Sequence, residues 1–214
     1  MIKTKQLLLI FIPAILLVML VFFVRIIQYN PLNPSAAEYE KIKPTSFNIP
    51  LNLEDPIIGN KNTGTTLVVF GDFGCPTCQA QHELLKELIT KYPTKVKVIW
   101  KGLSRTVYPA STELAHNYAY CANKQKKFNE FAETAFVNGD NLNKEVLDLI
   151  AVNINLDSKK LTDCLASAEP KNYLQKNEQL AMLLNIQALP TIFFNNKQIQ
   201  APQLLEGWET LLKL

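Results

Sequence analysis

Apolar and polar residues follow two different periods along this chain. Short runs typical of β-strands lie at Thr65–Phe70 and Val96–Trp100, and an amphipathic run with a helical period, Gln79–Lys91, lies between them. Two strands that lie in one sheet and are joined through a helix pair in parallel, with a right-handed crossover. The pattern therefore predicts a βαβ unit.

From about residue 109 to residue 185 the apolar residues recur every three or four positions, and no strand pattern is present. This period predicts a series of helices. Asn143 is of a residue type that caps helix N-termini, and Leu142 and Leu147 are spaced for a hydrophobic staple around it. The segment is thus predicted to be a helical insertion between two parts of a small sheet.

The C-terminal region returns to a strand pattern. The β-branched and aromatic run Thr191–Phe194 is followed by a turn at Asn195–Lys197 and by a second short run at Gln198–Gln200, which predicts a hairpin. Residues Pro202–Leu214 then predict a closing helix. The apolar residues on its predicted inner side are Leu204, Leu205, Trp208, Leu211 and Leu212.

The N-terminal region has the pattern of a membrane segment. Leu7–Val24 contains no charged residue and is close to the roughly 20 residues that span a bilayer. Lys3 and Lys5 precede this run and outweigh Arg25 after it, which favours a cytoplasmic N-terminus. We therefore predict that residues 1–30 are a cytoplasmic tip and an uncleaved transmembrane signal-anchor, with a cleaved signal peptide as the alternative.

The prolines of residues 31–52 predict a linker, with one edge strand near Phe47–Ile49. Residues 53–214 remain, which is enough chain for one domain with a sizeable core. Three of the 22 Lys and Arg and none of the 19 Asp and Glu lie in residues 1–30, so the rest of the chain is formally neutral. Since no basic stripe is interleaved with aromatic residues, nothing indicates a nucleic-acid partner.

The strongest candidate for chemistry is Cys75-Pro76-Thr77-Cys78, which lies between the first strand run and the amphipathic run. The helix is predicted to begin at Cys75, with Pro76 in the first helical position, where its missing N–H is not needed. Free backbone N–H groups and the helix dipole would stabilise a Cys75 thiolate, while Cys78 lies one turn inside and is more shielded. An exposed thiol of low pKa beside a shielded thiol is what dithiol–disulfide exchange requires.

Zinc sites use the same CxxC spacing. His82, four residues after Cys78, lies on a similar helical face and is a candidate third ligand, but no second CxxC or HxxxH supplies a fourth. The simpler interpretation of His82 is a partly exposed histidine beside the apolar stripe of the helix. A zinc-binding or redox-inert binding module therefore stays open as an alternative function.

Two widely separated segments resemble DsbA-type thioredoxin-fold proteins. The opening of that family is similar to Asp55–Asn60 and Val69–Cys78, and its closing segment is similar to Ala188–Lys197. The resemblance covers roughly residues 53–213. It implies an α/β thioredoxin fold, with the helical insertion as a subdomain beside the cysteines, and a thiol–disulfide oxidoreductase that needs no cofactor.

The resemblance also implies the roles of individual residues. Cys75 and Cys78 would form the redox-active pair, and Pro190 would be a cis-proline that faces them and completes the catalytic set. Leu189 would expose its backbone to a substrate strand by β-augmentation, with Pro76 and Thr77 contacting the same substrate.

The implied partners are exported proteins with free thiols and a membrane redox partner of the DsbB or VKOR type. The preferred function is an oxidase that donates the Cys75–Cys78 disulfide. A membrane-tethered disulfide reductase is the runner-up. The predicted location is the cell membrane, through residues 7–24, with the catalytic domain on the extracytoplasmic side.

Cys121 and Cys164 lie on apolar faces of two predicted helices of the insertion. Three interpretations are open for them: a structural disulfide, two buried free thiols, or a second redox pair. An exported domain favours the structural disulfide.

One position departs from the family pattern. Many relatives carry a buried acid six residues before the first cysteine, where this chain has Val69. Asp72 is closer to the motif and is expected in the loop. Proton movement to Cys78 would then use water or another group. His116 is expected to be an exposed or internally satisfied helix histidine, and Lys101 is expected in a solvated loop after the second strand.

Overall fold

The structure is a computed structural model that describes residues 4–29, 48–107 and 111–214. The chain divides into two units, residues 1–47 and residues 48–214. The elements in chain order are α1 (Thr4–Tyr29), β1 (Ile57–Gly59), β2 (Thr65–Gly71), α2 (Pro76–Lys91), β3 (Val96–Gly102), α3 (Glu113–Lys124), α4 (Phe128–Val137), α5 (Lys144–Asn153), α6 (Ser158–Ala166), α7 (Glu169–Leu183), β4 (Thr191–Phe194), β5 (Lys197–Ile199) and α8 (Leu205–Leu212).

The first unit contributes α1, which includes Pro13. Within the described part of the chain, no helix has the combination of length and apolarity needed for a membrane crossing. The membrane anchor at Leu7–Val24 therefore stays a prediction. Most of the predicted linker, residues 31–47, lies outside the described residues.

The second unit contains a five-stranded sheet in the order β1-β3-β2-β4-β5. Strands β2 and β3 are parallel and are joined through α2, which confirms the predicted βαβ unit. The remaining neighbours are antiparallel. The thioredoxin-like mixed sheet expected from the sequence is therefore present, with β2 at its centre.

Alternate residues of β2 serve two cores, because successive side chains of a strand point to opposite faces. Leu67 and Val69 belong to the larger core, which includes residues of α2 and of the insertion helices. Val68 and Phe70 belong to a smaller core with Leu180 of α7. The central strand is thus covered on both faces and holds the residues after it in a fixed position.

The insertion is helical, as predicted, and consists of α3 to α7 within the described residues 111–185. Asn143 caps α5, since its side-chain oxygen accepts a hydrogen bond of 2.9 Å from the Val146 N–H. Leu142 and Leu147, the predicted staple, are both buried. A disulfide joins Cys121 of α3 to Cys164 of α6, with an S–S distance of 2.06 Å.

The hairpin β4–β5 turns at Asn195 and Asn196, whose φ angles are 50° and 60°. Two positive φ values are characteristic of a tight hairpin turn that favours asparagine. The return strand begins at Lys197, one residue earlier than predicted, because the turn uses only two residues.

The closing helix α8 is shorter than the predicted Pro202–Leu214. Trp208 and Leu212 are buried, but Leu204 and Leu211 are 68% and 37% exposed. Leu204 precedes the helix in an extended conformation and does not share its inner side. The prediction that these two leucines face inward was wrong.

The edge strands of the sheet are β1 and β5, and the described residues of the segment near Phe47–Ile49 form no strand. Asn48 and Ile49 lie in no strand, and Phe47 lies outside the described residues. Ile49 is nevertheless buried, and its N–H donates to the side chain of Asn196 over 3.0 Å. The C-terminal end of the predicted linker 31–52 is therefore part of the folded unit.

Candidate active site

Cys75 occupies the N-cap of α2 and Pro76 the first helical turn, as the sequence predicts. The Cys78 N–H donates to Cys75 Sγ over 3.2 Å, and the Thr77 hydroxyl lies 3.1 Å from the same sulfur. The pKa of Cys75 is lowered to about 6, chiefly because the Cys78 side chain hydrogen-bonds to its sulfur, while burial opposes the shift and Thr77 adds to it. The surroundings of Cys75 therefore stabilise its thiolate form.

Cys78 lies inside the first turn of α2 and is 2% exposed. Its pKa is raised far above the ordinary value of a thiol, first because its proton is held in the hydrogen bond to Cys75 and second because it is buried. Both cysteines are free thiols in this structure. The pair is therefore strongly asymmetric, with one accessible thiolate and one buried thiol.

The loop before β4 lies against the cysteine pair. The Leu189–Pro190 peptide bond is cis. The Leu189 carbonyl oxygen lies 3.3 Å from the Thr77 hydroxyl oxygen and 3.8 Å from Cys75 Sγ. The sequence-predicted site residues on α2 and on this distant loop are thus brought together at one place.

Two grooves flank this loop. One, of about 590 Å³, is lined by Cys75 and Asp72 on one side and by the end of α7 on the other. The second, of about 630 Å³, is lined by Thr77, Pro190 and the hairpin strand β5. Both grooves include Ala188 and Leu189, so the exposed backbone of the loop is accessible from either side.

Asp72 is fully buried beneath the motif, although it was expected in an open loop. Its carboxylate accepts hydrogen bonds from the backbone N–H groups of Arg105 (2.8 Å) and Thr106 (2.6 Å) and from His116 Nε2 (3.1 Å). Burial alone would raise the pKa of Asp72, but the hydrogen bond and charge of His116, with further hydrogen bonds, hold it well below its usual range. Asp72 is therefore an anionic anchor for the loops around the motif.

His116 matches one of the two expectations from the sequence, an internally satisfied helix histidine. Its ring is buried and forms a hydrogen bond with Asp72. The ring lies so close to Gly102 that a Cβ at this position would overlap Nδ1. The glycine at the end of β3 is thus what lets α3 bring its histidine to the loop that precedes the cysteines.

Lys101 corrects another expectation. It lies within β3, fully buried, and its ammonium group is 2.6 Å from Asp55 Oδ2, which is also buried. The sequence placed it in a solvated loop because the strand signal Val96–Trp100 ended two residues before the strand does. A lysine is not expected inside a strand, and only the tertiary pairing with Asp55 explains its burial.

His82 lies one turn after Cys78 on α2 and is partly exposed, as predicted. Within the described ranges, no three side chains of His, Cys, Asp or Glu lie close enough together to hold a metal ion.

Comparison with known proteins places this geometry in a family. A family model described as thioredoxin matches residues 51–214. Among curated relatives, a Na⁺/H⁺ antiporter NhaA 3 of Salinispora tropica is 26% identical over 153 residues, which is 72% of this chain but 23% of the antiporter. The chain therefore spans about a quarter of the length of the relatives it matches first.

Another relative matches over most of its length. Disulfide bond formation protein D of Bacillus subtilis is 27% identical over 160 residues, which cover 68% of this chain and 69% of the relative. Among solved structures, a periplasmic thioredoxin-like protein from Salmonella enterica serovar Typhimurium has a TM-score of 0.64 at 24% identity, covering 75% of this chain and 88% of the other. At this identity the structural match shows the fold.

Proposed function

This chain belongs to the thioredoxin family, and we propose that it is a DsbA-like thiol–disulfide oxidoreductase, an oxidase that donates the Cys75–Cys78 disulfide to folding proteins. The observation that carries the proposal is the contrast between the two sulfurs. Cys75 has a lowered pKa at a helix N-cap, and Cys78 is a buried thiol within hydrogen-bond reach of it.

The proposed reaction transfers two electrons to the cysteine pair. A substrate thiolate attacks Cys75 Sγ, the Cys75–Cys78 bond breaks, and Cys78 leaves with the electron pair and takes up a proton. A second substrate thiolate then attacks the substrate sulfur of the mixed disulfide. The substrate disulfide forms, and Cys75 leaves as a thiolate.

The leaving group in the second step supports the proposed direction of electron flow. A thiol of lower pKa leaves faster, and a stabilised thiolate favours the reduced form of the enzyme, which makes its disulfide more oxidising. The hydrogen bonds that lower the pKa of Cys75 therefore support an oxidase more than a reductase.

Substrate binding is proposed at the loop beside the cysteines. The Leu189 backbone is reached from both grooves and lies next to Cys75, which suits an extended substrate that adds to the edge of the loop. In this proposal Pro190 keeps the loop in place, and Pro76 and Thr77 contact the substrate residue that carries the thiol.

The location and the redox partner are further parts of the proposal. We infer that the catalytic domain is exported, held to the membrane by residues 7–24, and reoxidised by a DsbB- or VKOR-type membrane partner. The likeness to a periplasmic thioredoxin-like protein supports export. The uncharged run Leu7–Val24 supports the anchor, which extraction of membranes at alkaline pH would test.

The decisive experiment is the reduction potential of the full-length protein, measured by equilibrating Cys75 and Cys78 with glutathione buffers in detergent. An oxidase is expected to have a potential near about −120 mV, and a value near about −270 mV would instead mean a reductase. Absence of any redox transition, together with about one bound zinc per chain, would replace the enzyme with a binding module.

A further inference from the structure

A small cavity lies on the buried side of Cys78, away from the substrate loop. It is enclosed between α2 and the sheet, and its lining includes Cys78, His82, Val69 and Trp100. Cys78 and His82 are four residues apart on one helix and so present their side chains on one face. The cavity therefore places an imidazole next to the buried thiol of the redox pair.

One nitrogen on the residues that line this cavity is unsatisfied. His82 Nε2 is buried and forms no hydrogen bond with any described residue. A buried polar group without a partner is costly, and such groups are usually satisfied by an ordered water molecule. The volume of about 10 Å³ is near the minimum that one water requires. The imidazole nitrogen of His82 and the Cys78 thiol are two polar partners for it.

The charges around His82 keep its ring neutral. Burial lowers the pKa of His82 to about 4, the carboxylate of Glu133 on α4 raises it, and the ammonium group of Lys86 lowers it. Lys86 and Glu133 pair with each other over 2.8 Å at the partly exposed rim. The facing strands contribute Val69 and Trp100, which carry no charge. His82 is therefore an unprotonated base at neutral pH.

We propose that His82 is the proton acceptor for Cys78, acting through one water molecule in this cavity. The inference rests on the proposed function, since it assigns the proton of the resolving thiol. When the enzyme is reoxidised, the Cys78 S–H bond breaks and its proton passes through the water to His82 Nε2. The thiolate then attacks Cys75 Sγ, the mixed disulfide breaks, the partner sulfur leaves with the electron pair, and the imidazolium returns its proton to solvent. During substrate oxidation the same path delivers a proton to Cys78 as it leaves.

A simpler role for His82 is packing, because its ring lies 4.7 Å, centre to centre, from the ring of Phe136. The two roles are separable. His82→Phe keeps an aromatic ring against Phe136 but has no nitrogen, and His82→Gln keeps polarity but has no base. Packing predicts that Phe restores normal behaviour, whereas proton acceptance predicts that neither variant does.

The test follows the reaction of the reduced full-length protein, with the Cys121–Cys164 bridge intact, with Ellman's reagent. Attack by Cys75 releases one thionitrobenzoate and leaves the second bound to Cys75. Attack by Cys78 then releases the second, so the two phases report the two sulfurs separately. We expect His82→Phe and His82→Gln to slow the second phase by about 100-fold, the lower end for acid–base catalysis, and to leave the first phase unchanged.

The pH profile and a rescue variant give independent readouts. In both His82 variants the second phase should rise about tenfold per pH unit, because only free Cys78 thiolate reacts, whereas the wild-type rate should vary less steeply around neutrality. Val69→Asp places a carboxylate on the same cavity and should restore much of the second phase in the His82→Phe protein.

The outcomes separate the two proposals. If the wild-type protein releases no second thionitrobenzoate, the oxidoreductase proposal itself fails. If wild type shows both phases and the His82 variants keep a second phase within about twofold of it, or slow both phases equally, His82 is not the proton acceptor.

Discussion

The two cysteine pairs of this protein lie in different structural surroundings. Cys75 and Cys78 are separated by two residues, lie at a helix N-terminus and are free thiols. Cys121 and Cys164 are 43 residues apart and join two helices of the insertion in a disulfide. Each pair has one buried and one partly exposed cysteine, but only Cys75 lies at a helix N-cap, accepts hydrogen bonds at its sulfur and lines a groove. Reactivity in this fold therefore follows from the helix N-terminus and from hydrogen bonding to sulfur, not from exposure alone.

The two cysteine pairs are also expected to contribute differently to the stability of the fold. The bridge constrains the unfolded chain over a long loop, which is where a disulfide adds most stability. The short CxxC loop constrains almost nothing, so its bond can be exchanged without loss of the fold. The first two of the following tests change one cysteine pair and use the other as the reference.

The largest effect should come from Cys75→Ser, which removes the attacked sulfur. We expect oxidation of a reduced test protein to fall by more than roughly a thousandfold, since no covalent intermediate forms. The matched control is the double variant Cys121→Ala, Cys164→Ala, which should keep its activity below its unfolding temperature. Comparable losses in the two proteins would mean that the second pair also takes part in electron transfer.

The free energy of unfolding should depend on the Cys121–Cys164 disulfide more than on the Cys75–Cys78 pair. Removing Cys121 and Cys164 together is expected to lower the free energy of unfolding by about 4 kcal/mol, the chain-entropy value for this loop length, as measured by urea denaturation. Reducing only Cys75 and Cys78 should change it much less. Equal changes would show that the bridge does not act through the unfolded chain.

A smaller loss is expected from Asp72→Asn, which weakens the link between the motif loop and α3. The buried Asp72 carboxylate accepts hydrogen bonds from the Arg105 and Thr106 backbone and from His116, and weakening them should lower the free energy of unfolding by about 2 kcal/mol. The direction in which this stability difference changes with pH is a further check. Because the folded-state pKa of Asp72 is depressed, its contribution is fully present above the unfolded value of 3.8 and is lost as the pH falls through the folded value. The difference between wild type and variant in urea denaturation should therefore be constant above about pH 5 and shrink in stronger acid. A difference that grows in acid would contradict this assignment.

The smallest effect should be that of Thr77→Val, which removes one hydroxyl from beside Cys75. The pKa of Cys75 should rise from about 6 by about 0.5 to 1 unit, because one hydrogen bond to the thiolate is lost. Ultraviolet absorbance of the thiolate during a pH titration measures it. Thr90→Val, at the other end of the same helix, is the matched control and should leave the titration unchanged. An unchanged pKa in Thr77→Val would mean that the hydroxyl does not donate to the sulfur, and a lowered pKa would mean that it accepts from the thiol.

What the sequence could predict depended on local patterns. The CxxC at the start of α2, the parallel pair β2–β3, the helical insertion and the hairpin turn each follow from residue types within a few positions of one another. These signals depend on the periodicity and capping residues of a single segment, so they can be recognised without knowledge of the rest of the fold.

The remaining features depend on contacts between distant residues. Asp72 and His116 are 44 residues apart, and Asp55 and Lys101 are 46 apart, and neither pair has a local signal. Strand β1 has only three residues, too few for a periodic pattern. A carboxylate placed directly after a buried strand and before the motif was the one hint that Asp72 would lie inside.

The sulfur of Cys75 is also the cap of α2, because it accepts the N–H of Cys78. A thiolate is a stronger acceptor than a disulfide sulfur, so oxidation weakens the start of the helix that carries the motif. Folding and oxidation form a thermodynamic cycle. The amount by which oxidation lowers the free energy of unfolding therefore equals the amount by which folding favours the reduced form. A capping bond of about 0.5 to 2 kcal/mol corresponds to roughly 10 to 40 mV of added oxidising power. The strength of the helix cap and the reduction potential of the cysteine pair are therefore two expressions of the same free-energy difference.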